Sequence, residues 1–147
     1  MSIEEYWNKF LQDSNLDRDT KYYDAFCFYG PDKETINRLT NLVLTGKKKA
    51  TTSVFLDDEE YPHIGSYSIV LDINNEPVCI IQTVKIRVLR LKDMTWDIAS
   101  KEGEGGNLET WFFDHNMMFT EESKQLGYKF TMDMPIFFEE FEVIYKG

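Results

Sequence analysis

The chain has 147 residues, of which 42% are hydrophobic and 15% aromatic, so it is a folded domain that buries roughly 70% of its unfolded surface, and disorder is excluded. Twenty-six acidic residues against 16 basic ones give a net charge of −10, which favours a small ligand or one defined RNA feature over a long nucleic-acid track and leaves no expectation of DNA binding. No apolar run approaches the ~20 residues of a membrane span, and a start carrying Glu4 and Glu5 is not a secretory signal.

Ile3, Tyr6, Trp7 and Phe10 fall at helical spacing and predict a short amphipathic helix over 3–11, followed by a polar connection from Asp13 to Thr20. Residues 1–22 are therefore expected to pack as a helix and connection on a domain formed by 23–147. Tyr23 to Tyr29 reads as an aromatic strand ended by Gly30-Pro31. A helix from about Asp32 to Thr45 follows, with Ile36, Leu39 and Val43 as its apolar stripe and Gly46 at its C-terminal turn. Thr51 to Leu56 is a strand, and Asp57-Asp58-Glu59-Glu60 is a solvated loop. Tyr67 to Ile73 alternates as a strand and turns at Asn74 to Pro77.

Val78 to Leu91 is a long strand. Its period places Ile80, Gln82, Val84, Ile86 and Val88 on one face, and Cys79, Ile81, Thr83, Lys85 and Arg87 on the other. A short helix over Met94 to Ser100, capped by Asp93, precedes a second over Leu108 to Phe119. The last strand, Ile136 to Tyr145, places Phe137, Phe141, Val143 and Tyr145 inward. Strands dispersed among short helices make this an α+β domain with a mixed or antiparallel barrel. Cys27 and Cys79 lie in apolar strand-like runs and read as small hydrophobes in a reduced, cytoplasmic protein.

The informative stretch is Gly46-Lys47-Lys48-Lys49-Ala50-Thr51-Thr52-Ser53, at a helix-to-strand turn. Four other motifs follow a fixed order around it: Phe28-Tyr29-Gly30, Gly65 to Asp72, Glu102-Gly103-Glu104-Gly105, and Trp111 with His115. The set resembles the ASCH domain family, in its bacterial subgroup of small uncharacterised proteins, over about residues 23–145. That resemblance implies a PUA-like β-barrel with flanking short helices and a nucleoside or RNA element as ligand. Some bacterial members are amidohydrolases that deacetylate N4-acetylcytidine with a Lys, a Thr and a Glu. Carried over, these are Lys48, Thr51 and either Glu102 or Glu104. The chain departs from the family pattern at Lys49, where relatives often carry Thr, and at Gln82, where many carry Glu.

A threonine hydroxyl needs a base to take its proton, and lysine is that base only as the neutral amine, about one molecule in 2,500 at pH 7 by its reference pKa. Lys48 and Thr51 are separated by an odd number, so in a straight strand they face apart and Thr52 is the even-spaced alternative. The plainer reading is that Lys47, Lys48 and Lys49 complement the helix C-terminal dipole, worth ~0.3–1 kcal/mol. Ligand contacts are expected from Lys47, Lys49, Thr52, Gln82, Trp111 and His115. The group Lys85, Arg87, Arg90 and Lys92 is a second basic patch. His63 and His115 lack a ligand partner at fixed spacing, so no metal site is expected, and nothing calls for a cofactor. Recognition of a nucleobase-containing ligand is the leading function. Hydrolysis of an N-acylated nucleoside and protein interaction through the acidic surface are the alternatives.

Overall fold

A computed structural model describes all 147 residues. Helix α1 (Ile3–Asp13) is started by a capping box, in which Ser2 accepts from the Glu5 N–H and the Glu5 carboxylate accepts from the Ser2 N–H. Helix α2 (Lys33–Leu44) has Asp32 as its N-cap and ends at Gly46, whose φ of +80° is the left-handed conformation that glycine takes without steric cost. Helices α3 (Trp96–Ala99) and α4 (Leu108–Leu126) complete the set. The cap of α3 is Thr95 rather than Asp93, because Thr95 is extended and its hydroxyl accepts from the Ile98 N–H. The Asp93 end of the preceding strand tightens into a 3-10 turn instead. Helix α4 runs past Phe119 to Leu126, since only Gly127 at φ +79° ends it.

Five strands, β1 (Asp24–Cys27), β2 (Ala50–Val54), β3 (Tyr67–Leu71), β4 (Pro77–Arg90) and β5 (Pro135–Lys146), form one sheet in the order β1-β3-β4-β5-β2. Only β1 and β3 pair in parallel. The sheet curls into a half barrel, so the fold is the mixed α+β, PUA-like one expected from the motifs. No helix is long and apolar enough to cross a membrane.

Two bulges decide which residues face which layer. Between β4 and β5, Ile80 pairs Tyr145 while Ile81 pairs Val143, which leaves Ile144 unpaired. Farther along, Thr83 pairs Phe141 while Lys85 pairs Glu140, which leaves Val84 unpaired and 42% exposed. Each extra residue reverses the alternation. The single apolar face read for β4 therefore breaks at Val84, and Val143 and Tyr145 pack against different helices.

Three apolar clusters hold the layers. Helix α1 buries Tyr6, Trp7, Phe10 and Leu11 against Ile69, Leu71 and Ile80. Helix α2 buries Leu39 and Val43 against Val70, Cys79, Ile81 and Phe141 on the opposite face. Helices α3 and α4 cover Ala50, Val54, Ile136 and Phe138 with Ala99, Trp111 and Phe119. Both cysteines are free, Cys79 fully buried and Cys27 half-buried.

Candidate functional site

The turn after α2 delivers Lys48 to the edge of the sheet. The N–H groups of Lys47 and Lys48 both donate to the Leu42 carbonyl, which closes the helix end. Lys49 then bridges two segments, its N–H donating to the Lys101 carbonyl and its own carbonyl accepting from the Phe141 N–H. Exposure alternates from there. Lys47, Lys49 and Ser53 are exposed, whereas Lys48, Ala50, Thr52 and Val54 are buried and share one face of β2.

The glycine-rich turn lies against this edge. A Cβ on Gly103, which sits at φ +75°, would collide with the Lys47 carbonyl oxygen, so only glycine lets the two backbones approach this closely. That approach presents Glu102 and Glu104 to the same ammonium, at 3.2 Å from Lys48 Nζ in each case. Both glutamates named from the motif therefore reach Lys48. They differ in environment. The Glu102 side chain is 3% exposed, while Glu104 is 22% exposed and also meets Arg38 of α2 at 3.7 Å.

Glu102 is the hub. Its Oε1 accepts from Lys48, and its Oε2 accepts from the Thr52 hydroxyl at 2.6 Å and from Trp111 Nε1 at 2.7 Å. His115 Nε2 lies 3.0 Å from the same Oε2, and His115 Nδ1 lies 2.9 Å from the Trp111 carbonyl oxygen. Both ring nitrogens thus face acceptors, an arrangement that favours a proton on each and hence the imidazolium form. It stacks on the Trp111 indole at 3.9 Å and 16°. Lys48 and His115 together balance Glu102 and Glu104, so the buried cluster is neutral as a whole.

These contacts set the acid–base character. Burial alone would raise the Glu102 carboxyl, but the Lys48 ammonium, the His115 bond and charge and the Thr52 hydroxyl outweigh it and hold the group well below the usual carboxylate range. Burial likewise works against the charged form of His115, and there the Glu102 bond and charge, with the Trp111 carbonyl, raise the ring above its ordinary value against the opposing Lys48 charge. Lys48 donates to two carboxylates as an ammonium, which is not the neutral amine a proton-abstracting role needs.

The other residues singled out from sequence lie elsewhere. Thr51 occupies the opposite face of β2 from Thr52 and is not among the groups that bond Glu102. Gln82 donates weakly to the Gly65 carbonyl at 3.4 Å and has no bond to the Lys48 cluster. The Phe28 ring, by contrast, lies under Lys48, its centroid 5.6 Å from Nζ. Trp111 and His115 were legible as a helix face four residues apart, but nothing local marked Glu102 as their shared partner. Glu139, a buried carboxylate on β5, was missed: it reads as one glutamate in an alternating strand, and only pairing with β2 and β4 encloses it.

A family model described as the ASCH domain matches residues 25–145. Among solved structures, protein EF3133 from Enterococcus faecalis V583 is 31% identical with a TM-score of 0.85, covering 97% of this chain and 92% of that one. The ASCH domain from Lactobacillus crispatus JV V101 is 28% identical with a TM-score of 0.83, covering 96% of this chain and 95% of that one. The hypothetical protein PH0355, at 17% identity, a TM-score of 0.54 and coverage of 85% and 100%, shares the fold alone. No curated protein matches the chain.

Proposed function

Because the chain belongs to the ASCH family, we propose that it recognises a nucleobase-containing ligand, a modified nucleoside or an RNA element, at the rim built by Lys48, Glu102 and Glu104. The observation that carries this reading is a buried ammonium held by two carboxylates, of which one is locked and the other partly open. Glu102 is fixed by Lys48, Thr52, Trp111 and His115, while Glu104 keeps an accessible edge beside Arg38. Such an edge accepts N–H donors from a ligand, and the exposed Lys47 and Lys49 flank it with charge suited to phosphate. The net charge of −10 confines this contact to a small ligand or one defined RNA feature. Two free thiols fit a reducing, cytoplasmic setting.

Amidohydrolysis is the second reading, favoured by the 2.6 Å contact between the Thr52 hydroxyl and Glu102, a hydroxyl beside a carboxylate that accepts its proton. Two features weigh against it. A carboxylate held well below its usual range is a weak base, and Lys48 is engaged as an ammonium. The test is a panel of nucleosides, acetylated nucleosides and short RNAs at two salt concentrations. Saturable binding without turnover supports recognition, release of acetate from N4-acetylcytidine supports hydrolysis, and neither result with any member of the panel refutes both readings. For an RNA ligand, changing Lys47 and Lys49 to Gln lowers the salt slope by about 1 for each phosphate that is no longer neutralised.

A further inference from the structure

The basic group legible along β4 separates into two in the folded chain. Arg90 and Lys92 both meet Asp133, at 4.0 and 2.7 Å. Lys85 and Arg87 face a different carboxylate. Lys85 stands directly across from Glu140 of β5, which stands directly across from Ala50 of β2, and Arg87, Phe138 and Thr52 form the next row. Directly paired residues share a face of a sheet, so Lys85, Arg87 and Glu140 emerge on the face that carries Lys48 and Thr52. Two strand spacings, about 10 Å, separate the backbone of Arg87 from that of Thr52, whose hydroxyl donates to Glu102.

Lys101 closes this patch from the other side. It immediately precedes Glu102, its carbonyl accepts from the Lys49 N–H, and its ammonium lies 3.7 Å from Glu140 Oε1. Arg87 Nε lies 3.4 Å from Glu140 Oε2. Both of those atoms are closed off from solvent, yet they are not aligned as a hydrogen bond and neither has another partner. The Arg87 side chain as a whole is 31% exposed, so its two terminal nitrogens face solvent with no partner in the protein. Lys85 is exposed and forms no ion pair. Three cations against one carboxylate leave two positive charges in excess here, in a chain whose net charge is −10.

We propose that Arg87, Lys85 and Lys101 form a phosphate seat beside the Lys48 rim, so that the ligand is a nucleotide, a base carrying a phosphate monoester or diester, rather than a free nucleoside. The terminal nitrogens of Arg87 donate as a fork to two phosphate oxygens, and the two ammonium groups add charge from either side. Glu140, 15% exposed, positions that fork by holding the Nε side of the guanidinium and the Lys101 ammonium, and its own charge is offset by those two contacts. This seat presupposes the base-binding rim proposed above and adds to it the substituent that the base carries.

The experiment is calorimetric titration of the full chain with the common ribonucleosides, their 5′- and 3′-monophosphates, short RNAs and inorganic phosphate. At least one monophosphate is expected to bind about tenfold or more tighter than its nucleoside, which is what one charge-assisted hydrogen bond supplies. Arg87→Gln removes most of that preference, with the fold checked by its Tm, and Arg87→Lys recovers only part of it, because an ammonium keeps the charge without the fork. Arg90→Gln deletes the same charge at a cation already engaged with Asp133 and leaves the preference within about twofold. Wild type that binds nucleosides and their monophosphates equally well overturns the phosphate seat and leaves the nucleobase reading standing. Equal losses in Arg90→Gln and Arg87→Gln would mean that the general field of the chain, and not this seat, attracts the phosphate. Inorganic phosphate bound as tightly as the nucleotides would make the seat an independent anion site and overturn the nucleotide assignment. If no member of the panel binds, both readings fall together.

Discussion

Replacing Lys48 by Met removes the ammonium that Glu102 and Glu104 share, while keeping a side chain of similar length. Stripping one partner from a buried ion pair costs about 3–5 kcal/mol, because the other charge stays behind unpaired. Here the lower end applies. His115 and the Thr52 and Trp111 donors still hold Glu102, and Glu104, 22% exposed, recovers part of its hydration. A loss of about 3 kcal/mol corresponds to a fall in Tm of about 6–12 °C for a domain of this size. Two carboxylates left facing each other take up a proton more readily, so the deficit measured by urea unfolding shrinks as pH drops from about 7 to 5. The double variant Lys48→Met, Glu104→Gln is then more stable than Lys48→Met alone, since Glu102 keeps His115, Thr52 and Trp111 and the second carboxylate facing it is neutralised. A deficit below about 1 kcal/mol, constant over that pH range, would refute the idea that a buried ion cluster organises this rim.

Three further outcomes follow from the same geometry. The folded-state pKa of His115 is raised, so the stability it contributes is fully present below its unfolded value of about 6.5 and is lost as pH rises through the folded value; denaturation curves over about pH 5–9 should show that decline in wild type and a weaker one in His115→Asn. Thr52→Val removes a hydroxyl that donates to a buried carboxylate and costs about 1.5–3 kcal/mol, whereas Thr51→Val stays within about 0.5 kcal/mol; equal losses by chemical denaturation would mean the two faces of β2 have been misassigned. Gly103→Ala places a methyl group against the Lys47 carbonyl at a positive φ and costs about 1–3 kcal/mol; crystallography or amide shifts should locate the displacement at the Glu102–Glu104 turn, and an undisturbed turn would contradict the close approach.

Much of this protein is written locally. Asp32 and Gly46 bound α2 through capping rules that act within four residues, and the aromatic run at 3–10 specifies a buried helix face by period alone. The ordered motifs carried the family and with it the half-barrel, whereas the motif put Thr51 first beside Lys48 and strand period offered Thr52 only as the even-spaced alternative. Tertiary structure decided the rest. Glu102 lies 54 residues from Lys48 and 50 from Thr52, and no signal confined to one turn or one strand specifies a contact at that distance. Gly103 brings the segments together by the approach it permits between two backbones, a property of the folded pair rather than of either segment. The unpaired residues at Val84 and Ile144 reverse the alternation of β4 and β5, so side chains that a two-residue period assigns to one face end on two. Glu139 shows the same effect most plainly: its neighbours along the chain mark it as a glutamate in an alternating strand, and its burial and its bond to Thr83 exist only because β2 and β4 flank β5 in this register.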